Sequence, residues 1–147
     1  MLGIDFGERR IGLALSDAER ILATGYDTLD RQKVSDIFGA LGDIISEEDV
    51  GQIVIGYPIR TDGQKKPGDK TEAVDAFITE LESRFKLPVE REDEAFTSVM
   101  AQNALKQRTG GKSTHRRGRG RKPDKGAIDR LAACYILQDW LDRQGRL

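Results

Sequence analysis

Leu2 to Phe6 and Ile11 to Ser16 are short apolar runs split by Gly7-Glu8-Arg9-Arg10, a pattern that predicts a tight β-hairpin. A third strand is expected from Ile21 to Thr28. Val34, Ile37, Phe38, Leu41, Ile44 and Ile45 then recur at helical spacing, with Asp30 placed as the N-cap. Ile53-Val54-Ile55, inside Gly51 to Tyr57, is apolar on consecutive residues, as in a parallel strand covered on both faces. The polar stretch from Ile59 to Gly68 reads as a loop, and Val74, Phe77, Ile78, Leu81 and Phe85 form the stripe of a second helix. A short strand is expected from Pro88 to Arg91, followed by a helix from Thr97 or Ser98 to Gln107. A last helix from Ala127 to Asp142 carries Ile128, Leu131, Ala132, Tyr135, Ile136 and Trp140 as its apolar stripe. Three strands, helix, strand, helix, strand and two helices together predict an α/β fold: a mixed sheet with an antiparallel hairpin start and parallel strands, flanked by helices.

Length and charge change the picture in two ways. The 147 residues suit one domain with one core, spanning 1–147. The net charge of -1 says little about a polyanionic partner, but its distribution is uneven. Arg108, Lys112, Arg116, Arg117, Arg119, Arg121, Lys122 and Lys125 stand against Asp124 alone, so the segment 108–125 carries a net +7 and the rest of the chain -8. An acidic body with a basic, flexible arm is the electrostatic footprint of a segment that meets phosphates, although a solvated loop has the same composition. His115 lies in this arm and suits a phosphate contact. The single cysteine, Cys134, sits among Ala132, Ala133 and Ile136 and reads as a small apolar core residue of a protein in a reducing compartment. No apolar run approaches the roughly 18 residues that span a bilayer, and Met1 leads into a strand-like stretch without a signal-peptide pattern, so a cytosolic protein is expected.

The candidate chemistry lies in carboxylates. Asp5 stands in the apolar strand Leu2 to Phe6, where an ionised group is costly unless it is paired or holds a metal, although an Asp before Gly also commonly closes its own turn. Asp5-Phe6-Gly7 matches a protein-kinase motif, but no glycine-rich loop precedes it. Asp93-Glu94 follow the last expected strand, at the edge where open α/β sheets place ligands; helix-start acids are the plainer reading of either residue. Asp129 falls one turn into the final helix, beside small residues that let that helix approach the sheet. Three carboxylates on separate elements can hold two divalent cations about 4 Å apart, one activating water and one stabilising a leaving 3′ oxygen. Oxygen-only ligands suit magnesium, with manganese as a substitute. With one His and one Cys, a zinc site or a cysteine or histidine hydrolase is poorly supplied.

The chain resembles the YqgF (RuvX) family of the ribonuclease H-like superfamily over nearly its whole length. The resemblance rests on Gly3 to Gly7 with Arg10-Ile11-Gly12-Leu13-Ala14 and Ser16-Asp17, on Val54 to Pro58 with Asp62-Gly63, on Asp93-Glu94 with Thr97-Ser98, and on Asp129 with Ala132-Ala133 and Ile136-Leu137. It implies a ribonuclease H-like sheet, acidic metal-binding catalytic residues at Asp5, Glu94 and Asp129, and trimming of the 5′ end of precursor 16S ribosomal RNA in ribosome biogenesis. The family's older label is Holliday-junction resolvase. Two residues depart from the family pattern: Ala95 stands where an Arg is usual, and Tyr57 where a Leu is usual. The first removes one phosphate contact, which the arm can replace.

The leading expectation is therefore a magnesium-dependent endonuclease acting on RNA, in which Arg9, Arg10, Thr97, Ser98, Arg116, Arg117, Arg119, Arg121, Lys122 and Lys125 hold the nucleic-acid backbone. A resolvase of four-way DNA keeps the same chemistry and usually calls for a symmetric dimer; the sequence leaves monomer and homodimer open. A non-catalytic RNA-binding module would use the arm alone, yet few aromatic residues are available for base stacking. Nucleotide phosphotransfer, suggested by the hairpin's likeness to the phosphate loop of actin-like kinases, needs a second domain to enclose the nucleotide.

Overall fold

The computed structural model describes residues 1–58, 70–93 and 124–145. Five strands form one mixed sheet: β1 (Leu2–Phe6), β2 (Arg10–Ser16), β3 (Ala23–Asp30), β4 (Ile53–Tyr57) and β5 (Val89–Asp93), in the order β3-β2-β1-β4-β5. The β1–β2 and β2–β3 pairs are antiparallel, and β4 pairs in parallel with both β1 and β5. The expected hairpin start and parallel continuation are both present. Helices α1 (Ile37–Glu47), α2 (Lys70–Phe85) and α3 (Lys125–Gln144) cover the sheet.

Alternation along each strand sorts side chains onto two faces. Leu2, Ile4, Ile11, Leu13, Ile53 and Ile55 point to one face and form the larger core with Leu41 and Ile44 of α1 and Val74, Phe77, Ile78 and Leu81 of α2. Full burial of a side chain such as Ile4 contributes about 1.5–3 kcal/mol. On the other face Ala14, Ala23 and Val54 meet Ala133, Ile136, Leu137 and Leu141 of α3, which packs against all five strands.

Several boundaries differ from the sequence expectation, each for a local reason. Asp30 is the last residue of β3, where its side chain accepts from the Gln32 amide at 2.9 Å; the cap of α1 is Asp36, which accepts from the Gly39 amide at 2.9 Å. β3 begins at Ala23 because Asp17 takes the amides of Ile21 and Leu22 at 2.8 and 3.3 Å and turns them outward, leaving both apolar side chains exposed. β5 runs on to Asp93 through parallel pairing with β4, so Asp93 is part of the strand rather than after it. Helix α3 starts earlier, capped by Asp124 on the Gly126 amide at 3.0 Å. Its buried line is Ala132, Ala133, Ile136, Leu137 and Leu141, while Ile128, Leu131, Tyr135 and Trp140 of the expected stripe are only half-buried. The sheet face beneath presents Gly3, Gly12, Ala14, Ala23 and Val54, so small and branched residues, not rings, make the closest contact. The helix expected over 97–107 lies outside the described residues.

Candidate active site

The α3 face of the sheet carries a row of residues that runs across the strands. Thr28 pairs with Gly12, Gly12 with Asp5, and Gly56 with Glu92. Asp5 shares this face with Gly3, because side chains two apart in a strand point the same way and Gly3 lies directly under Leu137. Gly12 is the residue that lets α3 descend: a methyl there would overlap the backbone carbonyl of Asp129. Asp129, on the fifth residue of the helix, is thereby seated against the strand position that pairs with Asp5. The thread is closed at the helix start, where the Thr28 hydroxyl donates to the Gly126 carbonyl at 2.6 Å.

Cations surround these acids. Arg10, the first residue of β2, donates from Nε to Asp129 Oδ2 at 2.8 Å, with side-chain exposures of 26% and 21%. Arg130 reaches the Thr28 hydroxyl at 3.4 Å and Asp124 at 3.5 Å. Arg31 stacks over Phe6, 5.3 Å from the ring centroid, and donates to the carbonyls of Gly7 and Glu8 at 3.4 Å, which latches the β1–β2 turn. Arg9 is exposed in that turn, and Lys125 is exposed at the first position of α3. Among the sequence-derived site residues, the fold thus brings together Asp5, Asp129 and Arg10, with Arg9 and Lys125 on neighbouring elements. Glu94, Thr97, Ser98, Arg116, Arg117, Arg119, Arg121 and Lys122 lie outside the described residues.

One acidic residue of this face escaped sequence reasoning. Glu92 is 3% exposed and its carboxylate is paired with Arg143 from the last turn of α3. Burial of a charge in this way is tolerable only with a partner. Val-Glu-Arg-Glu-Asp shows no apolar alternation, so the burial was not legible in the sequence. On the opposite face Tyr57 donates to Asp75 at 3.2 Å, and burial first, then that hydrogen bond, pushes its phenol up. Cys134, expected in the core, is half-buried; its thiol donates to the Ala23 carbonyl at 3.2 Å and burial raises it, which suits a structural thiol and not a nucleophile.

As donors, Asp5 and Asp129 offer carboxylate oxygens of the kind that hard divalent cations take. Among the described residues no group of three or more His, Cys, Asp or Glu side chains stands ready as a metal site. By donor chemistry each aspartate suits a divalent cation, which would need further ligands.

The sequence profile of the RuvX family, described as Holliday junction resolvase, matches residues 1–143. The chain belongs to this family. Proteins named "Putative pre-16S rRNA nuclease" are similar to this RuvX chain throughout. That of Koribacter versatilis is 40% identical over 145 residues, covering 99% of this chain and 88% of the relative. That of Crocosphaera subtropica is 36% identical, covering 97% and 92%. Among solved structures, Thermus thermophilus RuvC in complex with a Holliday junction substrate aligns with a TM-score of 0.55 at 11% identity, covering 99% of this chain and 95% of that one. The fowlpox virus resolvase, in complex with Holliday junction DNA, aligns at 0.57 and 10% identity, covering 98% and 99%. The ribonuclease H-like fold expected for RuvX is therefore the fold found. No helix among the described residues is long and apolar enough to cross a membrane.

Proposed function

We propose that this chain is a divalent-cation-dependent endonuclease of the cytosol that hydrolyses phosphodiester bonds and trims the 5′ end of precursor 16S ribosomal RNA. The observation that carries this reading is that Gly12, the strand partner of Asp5, lies directly against the backbone of Asp129. In the proposed site these two aspartates are shared ligands, Glu94 completes the set, and magnesium or manganese is the cation. When bound, such cations lower the pKa of the attacking water and stabilise the leaving 3′ oxygen. The chain's own cationic residues do the positioning: Arg9, Arg10 and Lys125, with Thr97, Ser98 and the arm residues Arg116, Arg117, Arg119, Arg121 and Lys122, hold the backbone on either side of the scissile phosphate. Arginine suits this task because its fork can engage two phosphate oxygens at once.

RNA is favoured over branched DNA because the relatives at 36–40% identity carry precursor-rRNA names, whereas the junction-binding structures share only 10–11%. The family's description supports the second reading, cleavage of a four-way DNA junction. One experiment separates them. Wild type and Asp5→Asn are given a precursor 16S rRNA fragment and a four-way junction, each with and without magnesium. Cleavage of the RNA that needs magnesium and falls at least about a hundredfold in the variant is expected, since a cation contributes several kcal/mol to such a transition state. Equal cleavage by both proteins in all conditions sinks the reading, and a preference for the junction transfers it to DNA.

A further inference from the structure

We infer that Arg10 is the counter-ion that Asp129 surrenders when cations enter, and that the freed guanidinium then moves to the nucleic-acid backbone. This rests on the reading of Asp5 and Asp129 as metal ligands and extends it to an order of events.

The geometry that supports it is specific. Arg10 and Gly12 lie two apart in β2, so both face α3, and Arg10 reaches Asp129 through Nε at 2.8 Å. The oxygen it holds, Oδ2, belongs to a side chain that would have to present oxygen to a cation in the proposed site. A guanidinium and a divalent cation compete for such an oxygen through both charge and space. The pair is three-quarters buried on each side, so water screens it less than a surface contact. Its neighbours are otherwise engaged: Arg130 with Asp124 and Thr28, Arg31 with the carbonyls of Gly7 and Glu8. Arg10, by contrast, is paired with the proposed ligand Asp129 itself. Arg10 is therefore a positioning residue: without cations it neutralises Asp129, and with them it is displaced towards the phosphate that the cations attract. Metal and nucleic acid then help each other to bind, and that coupling is reciprocal.

The test measures manganese binding to the full-length protein by calorimetry, without nucleic acid, for wild type, Arg10→Gln, Arg10→Lys and Asp5→Asn, and separately the binding of a short single-stranded RNA in calcium. Arg10→Gln is expected to bind manganese about tenfold tighter, the lower end for loss of a competing charge-assisted hydrogen bond, and to bind the RNA several-fold more weakly. A merely structural role would weaken both. Arg10→Lys, which keeps the charge without the fork, falls between wild type and Arg10→Gln, and serves if the glutamine variant fails to fold. Manganese affinity unchanged or weakened in the arginine variants overturns the inference while Asp5→Asn still loses the metal. Asp5→Asn binding manganese like wild type strikes the ligand reading itself, and this inference falls with it.

Discussion

Gly12 sets how near α3 comes to β2, and the consequence is measurable. Adding one methyl forces the helix away from the strand at Asp129, so Gly12→Ala is expected to destabilise the protein by about 1–3 kcal/mol in denaturant melts. Cleavage should fall more than stability explains, because the two aspartates part. Asp17 acts at the same scale. The Ile21 amide first, then burial working the other way and the Leu22 amide, leave its carboxyl below the usual value. Its contribution is thus present above the ordinary carboxylate value and fades as pH falls through the lowered one. The melting-temperature gap between wild type and Asp17→Asn is expected at neutral pH and should close in strong acid. Asp5 was legible in the sequence because an acid in an apolar strand conflicts with its surroundings; Asp129 was legible chiefly by resemblance. Glu92 was not, since its burial depends on Arg143, 51 residues away.

Helix α3 is the element on which the site depends. Asp124 caps it, and Asp124→Ala is expected to cost about 1 kcal/mol. The loss falls at the end that carries Asp129, so hydrogen exchange should quicken there before the global melt shifts. Leu137, fully buried over Gly3, anchors the middle, and Leu137→Ala is expected to cost about 2–5 kcal/mol in the same melts. The five strands and the helices α1, α2 and α3 were legible because periods of two and 3.6 are local signals. The cap of α1, the start of β3 and the buried line of α3 were not. Each is decided by a hydrogen bond or a facing glycine that periodicity does not encode: Asp36 on Gly39, Asp17 on Ile21, Gly12 beneath Asp129.

At the scale of the whole molecule, the division between an acidic body and a +7 segment governs encounter with a polyanion. Replacing Arg116, Arg117, Arg119 and Arg121 with alanine should lower the slope of log affinity against log salt by up to about 3 for single-stranded RNA, at roughly 0.7 per phosphate contact. Fluorescence anisotropy over a salt series reads this directly; an unchanged slope would remove the arm from the interface.

The sheet is threaded first and α3 follows every strand in the chain, yet α3 spans all five of them and brings one of the two aspartates. On a ribosome, then, the nascent chain displays Asp5 on an uncovered face long before Asp129 has been translated. With the two aspartates as the proposed ligands, a chain still being made holds half of that site, and the proposed cutting capacity arrives only when α3 has left the tunnel.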